Sequence, residues 1–96
     1  MSTPVARPVA LPAILTQAQA QSVADALVKA LRANMAQGDQ AVVDASALTQ
    51  FDSSALAVVL ACRRAVLAQG GQLQVHGLPE RAQALARVYG VTELIG

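Results

Sequence analysis

Asp52, Ser53 and Ser54 place one carboxylate and two hydroxyls directly before eight apolar residues, Ala55 to Cys62. A side-chain oxygen at this position can cap a helix by accepting a hydrogen bond from a free backbone N–H group. One cap is enough for one helix, yet three candidates stand in a row. A hydroxyl at a helix start also lies in positive local potential, where an anion or a partner's carboxylate is stabilised. The pattern predicts a helix start, with a contact site there as the functional alternative.

Nucleophilic catalysis by either serine needs a base, and His76 is the only histidine of the chain. A general base must come within about 2.6–3.2 Å of its nucleophile. Neither Ser53 nor Ser54 lies in a Gly-x-Ser-x-Gly turn, the sequence context of many serine hydrolases. We therefore expect no catalytic residue, and a small enzyme using Ser53 and His76 is the weakest hypothesis.

Metal, redox and cofactor chemistry find little support in the composition. One His and one Cys cannot supply the four ligands of a structural zinc. Cys62 lies among aliphatic residues, so we expect an inert thiol, and a single cysteine fits a reducing cytoplasm. Gly70 and Gly71 stop a helix and are not followed by the Lys-Ser/Thr pair of a phosphate-binding loop. We expect no metal and no cofactor.

The composition also argues against nucleic acid and membrane insertion. The chain of 96 residues has a net charge of +1, without a basic stripe for phosphates and with only Phe51 and Tyr89 as aromatics. Its apolar runs are shorter than the ~20 residues that cross a bilayer. The proline-rich N-terminus predicts neither a signal peptide nor an anchor.

The first half of the chain predicts a strand, a helix and a second strand. We expect a flexible tail at 1–7 and a single domain over 8–96. The prolines of segment 8–15 cannot donate to a ladder, which places that extended segment at a sheet edge. Thr16 and Gln19 have the spacing of a capping box, in which each side chain bonds the other's backbone N–H. The apolar stripe of this helix and its terminating glycine are Ala20, Val23, Ala24, Leu27, Leu31 and Gly38.

The second half continues the alternation of helices and strands. The predicted elements are a buried strand at 40–46, a loop at 47–52, a helix from Ser53 to about Gln69, a strand at 73–78, a helix from Pro79 to Gly90, and a short strand or turn at 91–95. Leu73 and Val75 are expected to point inward, with His76 on the polar face. The buried face of the third helix is predicted to be Ala82, Leu85, Ala86 and Tyr89, with the Tyr89 hydroxyl at the surface.

This order predicts an α/β fold with a small, mainly parallel sheet of about four strands and at least three helices. Functional loops of such sheets lie at the carboxyl ends of strands, where loop 44–54 falls. We expect Asp44 to brace that loop by accepting backbone N–H bonds.

The second helix has two apolar sides, whereas a surface helix needs only one. At 100° per residue one side carries Val58, Cys62, Ala65 and Val66, and the other carries Leu56, Leu60 and Leu67 near Arg63 and Arg64. One side must meet the sheet. The other meets a neighbouring helix or a partner protein, whose acidic groups the two arginines would suit.

The segment from Val42 to Leu78, "VVDASALTQFDSSALAVVLACRRAVLAQGGQLQVHGL", resembles the STAS domain, the fold of bacterial anti-sigma factor antagonists. The residues that match that family's motif are Asp44, Asp52, Ser53, Ser54, Ala55 and Leu56. The similarity extends over roughly residues 8–95. It implies the STAS fold and a protein-binding role.

Two branches of this family are candidates. In the antagonist branch a kinase phosphorylates the hydroxyl that matches Ser54, but that branch usually has Gly where Ala55 stands, and a longer N-terminal region. The small STAS subunit (MlaB-like) of the Mla phospholipid-transport ABC complex is more similar in its short first strand, in "ILTQAQA", and in the stretch Leu85 to Val91. There Ser53 takes the hydroxyl position thought important for function.

The resemblance to this second branch implies a non-enzymatic, cytoplasmic subunit that is peripheral at the inner membrane. Its implied partner is the ATPase of an ABC transporter, in complex with a permease, and its implied role is phospholipid trafficking between inner and outer membranes. We expect self-association when the partner is absent, because an apolar face would be exposed. We expect the ATPase to dock on the corner 52–56 and on the exposed sides of the second and third helices. The expected partner-binding residues are Asp52, Ser53, Ser54, Leu56, Leu60, Arg63 and Arg64, with Ser54 or Ser53 as the phosphorylation site of the antagonist alternative.

Overall fold

Short parallel strands and helices alternate through residues 8–34 and 40–95, the part of the chain that the computed structural model describes. The strands are β1 Val9–Ala10, β2 Ile14–Leu15, β3 Gln40–Asp44, β4 Gln50–Phe51 and β5 Gln72–His76, and the helices are α1 Gln17–Asn34, α2 Ser54–Ala68, α3 Glu80–Val88 and α4 Thr92–Ile95. The order in the main sheet is β1-β3-β5, and β2 pairs separately with β4. Every pair is parallel, so the predicted α/β class with a small parallel sheet is confirmed.

The main sheet has one apolar and one polar face. Parallel partners share a face, so the register Ala41↔Leu73 and Val43↔Val75 aligns four apolar side chains on one side. Ala41 and Val43 are fully buried there, and Leu73 and Val75 pack against the same core. The opposite face carries Gln40, Val42, Asp44, Gln72, Gln74 and His76, all half-buried or exposed. The inward direction of Leu73 and Val75 and the polar placement of His76 are confirmed.

Helix α1 begins where the sequence predicts, with a different bonding pattern. The Thr16 N–H donates to Gln19 Oε1 at 3.0 Å, which is half of a capping box. The other half is absent from this cap, because the Thr16 hydroxyl donates to the same Gln19 oxygen at 2.7 Å. The predicted apolar stripe is confirmed: Leu31 is buried and the rest of the stripe packs against the core. Gly38 and the tail 1–7 lie outside the described residues.

Two predictions for the polar connections need correction. Segment 8–15 contains two strands, β1 and β2, and the expected loop 47–52 contains β4. Strand β1 pairs with β3, whereas β2 and β4 pair only with each other. Each of these strands has two residues, which are too few to show an alternating pattern. The expected edge position of the proline-bearing segment is confirmed, since β1 is an edge strand of the sheet.

Helices α2 and α3 both end at a glycine in the left-handed conformation. Gly70 has φ 75° and Gly90 has φ 69°. The Gly71 N–H donates to the Val66 carbonyl and the Val91 N–H to the Ala86 carbonyl, both at 3.0 Å, which closes a Schellman turn each time. At the other end of α3, the prediction placed Pro79 one residue too far into the helix. Its ψ of 150° makes Pro79 the N-cap residue.

The C-terminal prediction of a strand or turn at 91–95 is wrong, because Thr92–Ile95 is the short helix α4. Its β-branched residues favour a strand locally, but the helical turn brings Ile95 into the core. The assignment of Tyr89 to the core is also wrong: its side chain is 58 % exposed, beyond the last turn of α3. The rest of the predicted α3 face holds, since Ala82 and Ala86 are buried and Leu85 is half-buried.

Two glycines with positive φ differ in what a side chain would meet. A Cβ on Gly77 (φ +72°) would lie 2.9 Å from the Ser46 Cβ, whereas a Cβ on Gly90 (φ +69°) would meet nothing within 4 Å. We predict that Gly90→Ala costs about 1–2 kcal/mol through backbone strain alone. Gly77→Ala should cost about 1–3 kcal/mol more, because the loop at Ser46 must shift. Urea unfolding of the two variants measures the difference, and equal costs would contradict the close approach.

Candidate functional site

The starts of α1 and α2 are held side by side by the chain that precedes them. The Ala13 carbonyl accepts hydrogen bonds from the backbone N–H groups of Thr49 and Gln50, at 2.8 and 2.9 Å. Directly after these contacts β2 and β4 run parallel, with Leu15 opposite Phe51. Each strand leads into a helix within a few residues, so both helix N-termini emerge at the same end of this strand pair.

The Asp52 carboxylate lies between these two helix starts and bonds both. Its Oδ1 accepts the Ser54 N–H at 2.8 Å, and its Oδ2 accepts the Gln17 N–H at 3.2 Å. Ser54 and Gln17 are the first residues of α2 and α1, so one carboxylate satisfies a free donor on each helix. The Ser54 N–H, together with the weaker Gln17 bond, lowers the pKa of the Asp52 carboxyl from its ordinary value. The positive ends of both helix dipoles favour the same ionised state.

Ser53 occupies the N-cap position of α2 without making a capping bond. Its backbone is helical, with φ −62° and ψ −17°, and its side chain forms no cap hydrogen bond. The residue is exposed, whereas Ser54 is half-buried. Because Asp52 supplies the cap from one residue earlier, the Ser53 hydroxyl faces solvent at the helix start. It is the side chain of the Asp-Ser-Ser motif that is freest to meet another molecule.

Asp44 lies at the other end of the loop that leads to Asp52, Ser53 and Ser54, which together form the corner at the start of α2. Its Oδ1 accepts the Ser46 N–H at 2.9 Å, a local turn that supports a bracing role. Bonds from the Ser46 side chain and backbone, and the nearby charge of His76, lower the pKa of the Asp44 carboxyl. The loop is thus fixed by one carboxylate at each end.

A groove of about 520 Å³ separates the corner from α3. Phe51, Asp52 and Ser53 line one wall. The guanidinium of Arg81 lies 5.5 Å from the centre of the Phe51 ring, within the ~6 Å range of a cation–π contact. On the α3 side Val88 is 80 % exposed and Tyr89 is 58 % exposed. The hydroxyl of Ser53 therefore stands beside exposed apolar surface.

The sequence analysis expected the exposed side of the third helix to take part in docking but did not name Val88 on it, although a signal was present. At 3.6 residues per turn, Val88 lies about 120–160° around the helix from Ala82 and Ala86. Those two alanines are the buried face, so Val88 must point away from the core. An apolar side chain in that direction is therefore exposed to solvent.

The partner-binding residues predicted along α2 do not form one face. Leu56 is only 4 % exposed, so it supports the corner from beneath and does not lie on the surface. Leu60 and Arg63 are half-buried, and Arg64 is exposed. Arg63 lines a groove shared with α4, whereas Arg64 lines a groove shared with α1. The two arginines therefore face different grooves, because consecutive helical residues point about 100° apart. Their role in partner binding stays a prediction.

Cys62 and His76 show no arrangement for nucleophilic chemistry. Cys62 is fully buried, and desolvation raises the pKa of its thiol to about 11, so it stays protonated at neutral pH. The His76 Nε2 lies 3.1 Å from Gln74 Oε1. Within residues 8–34 and 40–95 no hydrogen bond joins His76 to Ser53 or Ser54. In the same ranges no helix is long and apolar enough to cross a membrane.

The chain thus combines a small parallel α/β domain with a capped helix start beside a partly apolar groove. The family model described as "Mlab, STAS domain" matches residues 3–96. The chain belongs to this family of MlaB-like STAS domains. STAS domains are generally binding domains without enzymatic activity. A search of curated proteins found no significant match.

Asp52 and Ser53 are predicted to differ sharply in their effect on stability. Asp52→Asn should lower the urea midpoint at pH 7, because one charged cap on two helices is lost. Ser53→Ala should change the free energy of unfolding by less than about 0.5 kcal/mol, because its hydroxyl makes no cap. Circular dichroism during urea unfolding measures both.

The free energy of unfolding at acidic pH provides a second test of the hydrogen bonds of Asp52. Because the folded pKa of Asp52 is depressed, its stabilisation is present above the unfolded pKa of about 3.9 and is lost as the pH falls through the lower folded pKa. The stability of Asp52→Asn should therefore fall less steeply below about pH 4 than that of the wild type. Asp44 keeps a residual slope in both proteins. Parallel pH profiles would contradict the double cap.

Proposed function

We propose that this chain is a non-enzymatic subunit that binds the ATPase of an Mla-type ABC transporter. It acts at the cytoplasmic side of the inner membrane, held there by the ATPase and the permease, and supports phospholipid trafficking between inner and outer membranes. Membership of the MlaB-like STAS family supports this role. The observation that carries it is the exposed, unbonded position of Ser53 beside the apolar end of α3.

The docking surface that we assign to the ATPase is the corner surface, made of Asp52, Ser53, Ser54, Leu60, Val88 and Tyr89. Arg63 is left out of it, because Arg63 lines the groove shared with α4. Ser53 lies at its centre, at a helix start with positive potential that suits a partner's carboxylate or carbonyl group. Val88 and Tyr89 supply apolar contact, and tyrosine is common among the residues that dominate binding energy. Leu56 and Ala55, both buried beneath, keep the corner rigid.

The alternative is an anti-sigma factor antagonist that is switched by phosphorylation at Ser54, or less directly at Ser53. The local charges favour it less. The Ser54 N–H donates to the Asp52 carboxylate at 2.8 Å. A phosphate on the Ser54 hydroxyl would place about 1.5–2 negative charges beside that carboxylate and would be repelled by it. Incubation with an anti-sigma kinase and ATP tests this alternative, since it predicts a mass shift at Ser54.

The ATPase assignment predicts a strong effect of a large side chain at Ser53. Ser53→Arg should abolish co-purification with the co-expressed ATPase, because a long cation blocks close approach at the helix start. Ser22→Arg is the matched control: Ser22 is also exposed, and it lies on α1, which contributes no residue to the corner surface. It should leave co-purification intact.

Circular dichroism must show both serine variants folded for the comparison to count. The assignment is wrong if folded Ser53→Arg still co-purifies with the ATPase. It is equally wrong if Ser22→Arg removes binding to the same extent, since the effect would then be one of added charge.

The exposed residues Val88 and Tyr89, at the end of α3, are predicted to matter for binding and not for folding. Val88→Ala and Tyr89→Ala should each change the free energy of unfolding by less than about 0.5 kcal/mol, because both side chains are mostly solvated. Each should weaken ATPase binding by about tenfold or more in a titration. Leu94→Ala, at another exposed apolar residue, should bind as the wild type does. Unchanged affinity in the α3 variants would remove α3 from the docking surface.

A further inference from the structure

A second groove, of about 560 Å³, runs between α1 and α2 on the side of α2 that carries Arg64. Its floor is apolar and made of small side chains: Ala20, Ala24, Val28, Ala57, Val58 and Ala61. Val58 is buried, Ala57 is exposed and the other four are half-buried, so the floor is partly open to solvent. Helices α1 and α2 pack against each other, and the small alanine side chains at the edge of this contact leave the groove between them unfilled. The corner surface described above does not account for it.

Cations dominate the rim of this α1–α2 groove. Lys29, Arg32 and Arg64 are all exposed along it, and Asp25 is its only acidic lining residue. Three cations against one carboxylate give the groove a formal charge of +2. The Asp25 Oδ1 already accepts a hydrogen bond from Gln21 Nε2 at 2.9 Å. An occupant therefore meets an apolar floor between positively charged edges.

We propose that the α1–α2 groove is a second docking surface, which takes an acidic amphipathic helix of a partner polypeptide. Its lining on α1 extends from Ala20 to Arg32, or about 18 Å at 1.5 Å per residue, enough for roughly three helical turns. A floor of alanines lets another helix approach closely, since the distance between packed helices depends on the side chains at the contact. Glutamates flanking that apolar stripe would pair with the lysine and arginines at the rim.

A second copy of this chain fits the groove poorly. Each described helix carries at most one acidic residue, namely Asp25 in α1, Glu80 in α3 and Glu93 in α4. None therefore offers the acidic face that the rim requires. The proposal goes beyond the assigned ATPase contact, and its test uses neither the ATPase nor the corner surface.

The probe is a synthetic 14-residue helical peptide with alanine and leucine on one face and glutamate on the other. A scrambled peptide of the same composition, without the apolar face, is the control. Titration by fluorescence anisotropy should give a Kd below about 1 mM for the amphipathic peptide and at least about tenfold weaker binding for the scrambled one. Amide shifts in a labelled protein should fall on α1 and the outward side of α2.

Charge-reversal variants locate the binding. Lys29→Glu and Arg64→Glu should each weaken the binding of the amphipathic peptide by about tenfold or more. Arg87→Glu, an equally exposed reversal on α3 outside the groove, should leave its affinity unchanged. Ala57→Leu fills the floor at an exposed position and should remove binding without changing charge, which guards against a rim variant that fails to fold.

Three results would overturn the proposal: no binding of the amphipathic peptide, equal weakening by Arg87→Glu, or equal binding of the scrambled peptide. A fourth is a dimer in sedimentation that Arg64→Glu dissociates, because the groove would then be occupied by a second copy. Loss of ATPase binding in the corner variants leaves this proposal standing, so the two accounts fail independently.

Discussion

One carboxylate, that of Asp52, joins the starts of two helices, and the geometry of the corner surface depends on it. Its two oxygens accept backbone N–H groups from the first residue of α1 and the first residue of α2. Without it, each helix would leave one more orphan donor at its N-terminus, and the two helix ends would lose their common anchor. The parallel pair β2–β4 brings the helix starts together, and the carboxylate then fixes their relative position.

Because Asp52 forms this bridge, the residue that caps α2 differs from the residue whose side chain stays free at the helix start. In many helices the hydroxyl of an N-cap serine accepts a hydrogen bond from a backbone N–H group of the first turn. Here Asp52 provides the cap, so the Ser53 hydroxyl remains unbonded at the surface. The core beneath the corner is tightly packed, with Ala55 and Leu56 buried, so the hydroxyl stands on a rigid base. The fixed Ser53 hydroxyl beside the exposed Val88 and Tyr89 would suit a partner that offers both a hydrogen-bonding group and a complementary apolar surface.

Much of this arrangement could be predicted from the sequence, wherever a signal is local or periodic. The cap at Thr16, the helix ends at Gly70 and Gly90, and the inward direction of Leu73 and Val75 follow from residue type and spacing. The β2–β4 pair could not be predicted, since two-residue strands are defined only by each other. Tyr89 was wrongly assigned to the core because α3 ends before it. Helix α4 was not predicted because its β-branched residues favour a strand, whereas burial of Ile95 in the core favours the helical turn.

The most direct test of the central claim is hydrogen exchange of the chain alone and in complex with the co-expressed ATPase. The account predicts new protection at the amides of residues 52–54 and at the end of α3, around Val88 and Tyr89. It also predicts unchanged exchange on the polar edge strand β5, from Gln72 to His76, which lies outside the corner surface. Protection confined to β5, with the corner exchanging as in the free chain, would contradict the claim that the Asp52–Ser53 corner is made to bind a partner.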